Sequence, residues 1–215
     1  MASIALISAC GKSDYEPTSY GSFSVYNASP TLATYDAYLN GRKLNTAALP
    51  YAGGVKYNQL IQGSYEVKFT VAGETAPLYT KSGITVGNNS ISTLYLVGTS
   101  DNFDALLTSD ETSNTSIEKS YVRFINLSPD APALNLGIKD ETTDLATDKA
   151  YKTYSDFIAL EPGEKVFEIK EGSTVKTTLN KNLVRGNFYT IIAGGKVTPA
   201  NDNEKPFNGQ IVLHQ

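Results

Sequence analysis

The sequence predicts an all-β protein made of two tandem antiparallel β-sandwich domains. Three observations predict this fold class: apolar residues that alternate with polar ones, closely spaced turns, and a pattern that occurs twice. In residues 64–71, apolar side chains stand at every second position, which is typical of a strand with one buried face. No segment keeps a helical period with capping residues, and many short strands at close spacing indicate a sandwich or a barrel.

Local patterns predict the individual strands and turns of the first half. Residues 22–27 alternate, and the Asn40-Gly41 pair after them predicts a turn. Further turns are predicted at residues 53–54, 62–63 and 87–89, on either side of the alternating segment 64–71. Residues 94–97 are continuously apolar, which predicts a central strand buried on both faces.

The second half of the chain repeats the first at an offset of about 100 residues. Residues 25–30 match residues 124–129, and Gly63 before its alternating strand matches Gly163. These matches divide the chain into a signal remnant and tether at 1–19, a first sandwich at 20–110, a linker at 111–119 and a second sandwich at 120–215. Because the linker is polar, each sandwich is expected to fold on its own.

The single cysteine, Cys10, follows a short apolar stretch and the small residues Ser8 and Ala9. This order resembles the lipobox of bacterial lipoproteins, in which the cysteine thiol accepts a diacylglyceryl group. Two features depart from it, since a basic segment is missing and the apolar stretch is shorter than usual. A frayed terminus with an incidental thiol is the alternative. Lipidation of Cys10 is the interpretation we favour, with residues 11–19 as a flexible tether.

Composition excludes several function classes. The net charge of −4 and the absence of a Lys/Arg stripe argue against nucleic acid as a partner. One histidine, His214, and one cysteine cannot form a metal site of several imidazoles or thiolates, so no metal and no cofactor are expected. No apolar run near the N-terminus is long enough for a transmembrane helix.

Residues 121–134, which read Tyr-Val-Arg-Phe-Ile-Asn-Leu-Ser-Pro-Asp-Ala-Pro-Ala-Leu, resemble the opening signature of DUF4397 domains. These domains are common in secreted and surface proteins of Bacteroidota and other bacteria. The first half keeps Asn27, Ser29 and Pro30 but has Leu32-Ala33 where Asp-Ala-Pro would stand. The resemblance implies two Ig-like or transthyretin-like sandwiches in an envelope lipoprotein, and it implies no activity and no catalytic residues.

Tyrosines are the first candidates for a binding site, since the chain has 14 of them and no tryptophan. Tyr51 and Tyr57 of the first half correspond in position to Tyr151 and Phe157 of the second, and Tyr154 lies close by. They could form a stacking surface for a sugar or a partner protein. The alternative is that each ring packs at the edge of a core while its hydroxyl reaches water.

A long polar loop is the second candidate. Residues 196–206 contain Asp202 and Glu204, whereas the first half has only residues 99–102 at that place. Long loops on a rigid sandwich are frequent binding sites, and the alternative is a mobile insertion with no partner.

Two further patterns have structural explanations. The Asn-x-Ser-Pro segments at 27–30 and 126–129 predict corners at which a strand ends, and a polar ligand site is their alternative. Acidic residues gather at 101–111 and 140–148 without the spacing of a known calcium loop, so solvated loops are the simpler interpretation.

The predicted function is that of a cell-envelope lipoprotein, periplasmic or surface-exposed, which acts as a non-catalytic binding or structural module. Its expected partners are the membrane, through the anchor, and a glycan or surface protein. A glycan-binding accessory lipoprotein is one alternative. A hydrolase that uses loop carboxylates is another, although no catalytic motif surrounds His214.

Overall fold

The computed structural model describes residues 18–99, 102–110 and 115–214, and all of its regular elements are β-strands. The first half of the described chain contains β1 (Tyr20–Asn27), β2 (Tyr35–Leu39), β3 (Arg42–Lys43), β4 (Gly54–Ile61), β5 (Gly63–Val71), β6 (Pro77–Val86), β7 (Ile91–Val97) and β8 (Asp104–Ser109). The second half contains β9 (Ser120–Asn126), β10 (Leu134–Ile138), β11 (Ala146–Lys149), β12 (Thr153–Tyr154), β13 (Ile158–Leu160), β14 (Gly163–Glu171), β15 (Thr174–Leu183), β16 (Phe188–Gly194) and β17 (Asn208–His214).

Each half consists of two sheets with the same strand order. In the first half the orders are β4-β1-β7-β8 and β3-β2-β5-β6. In the second half they are β12-β9-β16-β17, with β13 also paired to β9, and β11-β10-β14-β15. The strand in the place of β4 is thus split into β12 and β13. This confirms the all-β fold class, and it extends the sequence repeat to the pairing of the strands.

One pairing in each half is parallel rather than antiparallel. β1 pairs with β7, and β9 pairs with β16, in the same relative register. Parallel neighbours require a crossover connection. Here the chain passes through the opposite sheet twice, and in the first half it adds β4 to the sheet of β1 between the two passages. Gly98 and Gly195 follow the two returning strands with φ of 84° and 76°, a conformation that glycine adopts without strain.

Three apolar clusters form the interior. The first lies between the two sheets of the first half, around Phe23, Phe69 and Leu94. The second lies at the same place in the second half, around Phe124, Phe167 and Ile191. The third joins the halves: Tyr26, Tyr95 and other residues of β1 and β7 pack on residues of β9 and β16.

The molecule is therefore a stack of four sheets, and the two inner sheets are covered on both faces. β9 is buried along its whole length, as is β7 after its first residue. This confirms residues 94–97 as a central strand. We call the surface on which the two inner sheets meet the seam.

The Asn-x-Ser corners are structural, as the sequence predicts. Asn27 Oδ1 accepts a hydrogen bond from Ser29 N at 3.0 Å, and Asn27 Nδ2 donates to Leu49 O at 3.1 Å. Asn126 Oδ1 accepts from Ser128 N at 3.1 Å, and its Nδ2 donates to Lys149 O at 2.9 Å. Each asparagine thus fixes the turn after a strand and ties it to a neighbouring loop.

Candidate functional site

The seam contains a buried ion pair. Arg123 on β9 contacts Asp110, the residue after β8, and their side chains are only 1% and 2% exposed. The guanidinium also donates to Ser109 O at 2.9 Å and lies over the Phe157 ring at 4.7 Å from its centroid. Because a buried charge without a partner is costly, this pair ties the second half to the end of the first.

Asp110 accepts hydrogen bonds from several further side chains. Tyr57 Oη and Thr93 Oγ1 each donate to its Oδ2 at 2.5 Å, and Thr108 Oγ1 donates to its Oδ1 at 2.8 Å. Together with Arg123 these donors occupy both oxygens of the carboxylate, so its charge is fully compensated.

His214 of β17 continues the network. Its Nδ1 lies 2.7 Å from Tyr57 Oη and its Nε2 lies 2.6 Å from Thr190 Oγ1, which accepts a hydrogen bond from Arg123 Nε at 2.8 Å. The hydroxyl proton of Tyr57 goes to Asp110, so Nδ1 must carry the imidazole proton and Nε2 must accept from Thr190. This assignment follows from the partners and satisfies each of these atoms.

The protonation states at the seam suit a structural contact. Burial lowers the pKa of His214 to about 4, with Asp110 opposing this shift and Arg123 adding to it. Burial, and secondarily the Asp110 carboxylate, raises the pKa of Tyr57 well above its usual value. At neutral pH the imidazole is therefore neutral and the phenol is protonated.

A cleft of about 200 Å³ opens at the edge of the seam and is lined by Ser24, Tyr57 and His214, among others. Ser24 occupies the position on β1 that Arg123 occupies on β9, as the matched registers of the two parallel pairs show. The short side chain leaves open in the first half the space that the arginine fills in the second.

The predicted binding tyrosines lie at the seam. Tyr51, Tyr57, Tyr151 and Tyr154 are all half-buried, and Tyr51 Oη donates to Asn208 Oδ1 at 3.3 Å. Tyr151 and Tyr154 pack against the third apolar cluster. Burial raises the pKa of Tyr51 and of Tyr151 to about 12. Part of each side chain is therefore covered by other parts of the chain, as the alternative of rings packed at a core edge describes. Ligand binding by these tyrosines stays a prediction.

Each of the two acidic segments contains residues that form ion pairs. Asp104 binds Lys152 at 2.5 Å, and Asp144 forms an ion pair with Lys170. Within residues 18–99, 102–110 and 115–214, no three metal-ligating side chains come together. Asp101 and Glu111 lie outside the described residues.

The polar loop at residues 196–206 packs against the first half. Leu32 N donates to Asn203 O at 2.9 Å, Lys205 N donates to Pro30 O at 2.9 Å, and Thr31 forms an isolated β-bridge with Glu204. On the other side, Asp130 accepts from Val197 N and Thr198 N at 2.8 and 2.9 Å. The interpretation of this loop as a mobile insertion is therefore wrong, because the corners of both halves fix it.

This packing creates a second, larger cleft of about 420 Å³, which we call the end cleft. Its residues come from the corner after β1, from the first sandwich and from the loop: Thr31, Leu32, Ala33, Tyr35, Val71, Leu78, Thr99, Phe103, Asn201, Asn203 and Glu204. Of the two loop residues that the sequence suggested as binding residues, Glu204 lines the end cleft. The other, Asp202, is exposed and is not among the lining residues.

The residues that the first half contributes to the end cleft were missed by sequence reasoning. One signal for them was available in the sequence: the first half has Leu32-Ala33 where the DUF4397 signature has Asp-Ala-Pro. In the structure, Leu32 lies at the rim of the end cleft and is 52% exposed. The contact between the corner and a loop more than 160 residues later in the chain could not be predicted from local patterns.

Comparisons with known proteins place the chain in a family. A family model described as "Domain of unknown function (DUF4397)" matches residues 21–137, which is more than half of the chain. The chain belongs to the DUF4397 family. The match covers the whole first half and ends within β10, so it includes residues 121–134 but does not cover a second copy of the domain.

Other comparisons add little. No curated protein matches the chain. A crystal structure of a proposed cell adhesion protein from Bacteroides eggerthii is similar at 8% identity and a TM-score of 0.22, with 92% of this chain and 96% of that chain covered. A DUF3823 family protein from Bacteroides ovatus is similar at 11% identity and a TM-score of 0.19, with 79% and 98% covered.

No helix among the described residues is long and apolar enough to cross a membrane. Cys10, the predicted lipidation site, lies outside the described residues.

Proposed function

We propose that this DUF4397 protein is a lipid-anchored, non-catalytic binding module of the cell envelope that takes its ligand in the end cleft. The observation that carries the proposal is the packing of the 196–206 loop on the corner of the first half. It forms a cleft of about 420 Å³ from two distant parts of the chain. Concave sites of several hundred Å³ with a few polar groups are the usual form of a ligand site.

The four-sheet stack supports this proposal because it holds both walls of the cleft in place. The loop is fixed by Asp130 of one half and by Leu32 of the other, so the cleft is preorganised for a ligand. The network at the seam compensates its own charges, and both ring nitrogens of His214 are occupied by protein partners, which favours a structural role for the network over a chemical one.

The anchor is tested by fractionation. With its native N-terminus in a bacterial host, the chain is expected in the detergent-soluble membrane fraction, because an acylated Cys10 would hold it there. The Cys10→Ser variant should move to the soluble fraction. A wild-type protein found wholly in the soluble fraction would remove the anchor from the proposal.

Binding is tested with the immobilised full chain and a solubilised envelope fraction that contains both polysaccharide and protein. Leu32→Asp should abolish retention of the component that the wild type captures, because a charge at the rim of an apolar cleft opposes burial of a ligand. Ile61→Asp is the matched control, since Ile61 is 55% exposed and lies near the start of β1, away from the corner. Equal retention by both variants would contradict a site in the end cleft, and turnover of a captured component would contradict a non-catalytic role.

A further inference from the structure

We infer that the end cleft takes a neutral carbohydrate unit, a hexose or N-acetylhexosamine residue of a glycan. This inference rests on the proposed function and adds the chemical class of the ligand. It comes from the chemistry of the cleft wall: an apolar floor, a rim of amides and hydroxyls, and no uncompensated charge among the described lining residues.

The floor of the end cleft is apolar and partly aromatic. Val71, Leu78 and Phe103 are half-buried there, and the Phe103 ring meets the buried Tyr35 ring edge-on, with centroids 5.8 Å apart. A pyranose ring has one face of C–H groups, and such a face packs on apolar side chains while the hydroxyls point outward. The floor therefore matches the less polar face of a sugar.

The rim of the end cleft is polar and has free hydrogen-bonding capacity. The side-chain amide of Asn203 has no partner among the described residues, and Asn201 uses only its Oδ1, which accepts from Asn203 N at 2.9 Å. An amide both donates and accepts, as a sugar hydroxyl does. A purely apolar ligand would cover these groups without replacing their bonds to water, which costs free energy.

Charge excludes two other classes of ligand. Glu204 is the only charged residue that lines the end cleft among those described, and its carboxylate binds Lys196 Nζ at 2.9 Å and Ala200 N at 2.6 Å. Its charge is thus already compensated, so a cationic ligand gains little there. A phosphate or carboxylate ligand would find no cation facing it.

Backbone pairing argues against an extended peptide at this place. A peptide that adds a strand needs free N–H and C=O groups at an edge. At the corner, Thr31 N donates to Ser29 O at 2.8 Å, and Leu32 N and Pro30 O are bonded to the loop. At the corner itself, these three backbone groups are therefore occupied by the protein and are not free to pair with a peptide.

The test uses the full chain and saturation-transfer NMR with three sets of probes. These are neutral oligosaccharides based on glucose, galactose, mannose and N-acetylglucosamine, their sulfated counterparts, and unstructured peptides of similar mass. We expect at least one neutral oligosaccharide to bind, and its sulfated counterpart to bind more weakly. Asn203→Ala should weaken binding by about three- to tenfold, the effect of one lost hydrogen bond.

Asn182→Ala is the matched control, because Asn182 is exposed on β15, in the outer sheet of the second half. It should leave binding unchanged. If Asn203→Ala and Leu32→Asp both bind the sugar as strongly as the wild type does, the sugar binds elsewhere and the inference is overturned. Binding of peptides alone, lost in Leu32→Asp, would overturn the carbohydrate class and leave the binding module intact. If no probe and no envelope component binds in a way that depends on Leu32, the proposed function fails as well.

Discussion

At the scale of single residues, Arg123 shows how one side chain can hold two halves of a chain together. Its alkyl stem leaves β9 on the face that points away from its own sandwich, and its guanidinium reaches Asp110 at the end of β8. The pair is buried, and both its guanidinium and its carboxylate have further hydrogen-bond partners. A lysine could not replace the arginine, because its single ammonium group would reach fewer of these partners.

We expect Arg123→Met to lower the free energy of unfolding by about 3–5 kcal/mol, because it leaves the Asp110 carboxylate buried without a cation. Urea denaturation of the full chain measures this loss. The double variant Arg123→Met/Asp110→Asn removes both charges and should recover part of it. A double variant that is less stable than Arg123→Met would contradict this account.

The single histidine gives a pH dependence whose sign is fixed by its environment. His214 has a pKa of about 4 in the folded chain against 6.5 for an ordinary histidine, so between these values the unfolded chain binds more protons than the folded one. Stability is therefore complete above about pH 6.5 and falls as the pH is lowered towards 4, by up to about 3 kcal/mol.

This slope is measured by urea denaturation at half-unit pH steps from 4.5 to 7. Burial raises the pKa values of Asp36 and Asp104, but their lysine partners outweigh this and hold both pKa values below the usual one. The contributions of these two residues to stability are therefore lost mainly below pH 4.5, outside the measured range. His214→Gln should flatten the slope. A variant that keeps the full slope would show that other groups cause it.

At the scale of elements, the loop at residues 196–206 connects two corners by hydrogen bonds, one corner in each half. It corresponds to a short connection in the first half, and its extra length lets it reach both Asp130 and Leu32. Long surface loops usually cost little to shorten. This one differs because its backbone hydrogen-bonds to both halves.

Deletion of residues 197–203 is expected to lower the free energy of unfolding by about 1–2 kcal/mol, which corresponds to roughly 2–8 °C in melting temperature. A mobile insertion with no partner, the alternative for this loop from sequence, would give almost no change. Thermal denaturation decides between these results, and Asp130→Ala, which keeps the loop but removes two of its hydrogen bonds, should give a smaller loss. Unchanged melting of both proteins would show that the loop contacts contribute no stability.

The strands and their repeat could be predicted because each follows from a local pattern. Alternation revealed β5, the continuous apolar run revealed β7, and the Asn-x-Ser segments revealed both corners. The seam could not be predicted in this way. Ser24 and Tyr26 alternate with Phe23 and Val25 on β1, a pattern typical of a strand with one solvent-facing side, yet Tyr26 is buried in the third cluster.

The candidate site shows the same limit. The length of the 196–206 loop was enough to identify it, with Glu204, as a candidate site, because the length of a loop can be read from the local sequence. The partner surface at Leu32 and Phe103 depends on how two sandwiches stack, and that geometry is set by side chains spread over the whole chain. The tyrosines stand out in the sequence by their number, but their half-buried positions at the seam depend on how the two halves stack.

At the scale of the whole molecule, the seam makes the two halves dependent on each other. Each half has its own apolar cluster, as the predicted domain division requires, but the third cluster and the Arg123–Asp110 pair belong to both. An isolated half would expose a large apolar face, and such faces cause association or aggregation.

Separate expression of residues 1–114 and 115–215 tests this dependence. We expect each half alone to melt at a lower temperature than the whole chain, and an equimolar mixture to form a complex with a higher melting temperature. Introducing Arg123→Ala into the second half should weaken the complex. Halves that melt like the whole chain and do not associate would show that the seam contributes nothing to stability, as the sequence-based expectation of independent folding implies.

The central position of β1 has a mechanical consequence. β1 is the first described strand after the predicted tether, and it lies between β4 and β7 and is paired with both. A tensile force transmitted from an anchored Cys10 through Thr18 would act along β1. It would load the hydrogen bonds to β4 and to β7 at the same time, in shear. An edge strand pulled away from its sheet would instead lose its interstrand hydrogen bonds one after another. We therefore expect the junction between anchor and module to withstand tension, so that a captured ligand under drag would detach before the protein unravels.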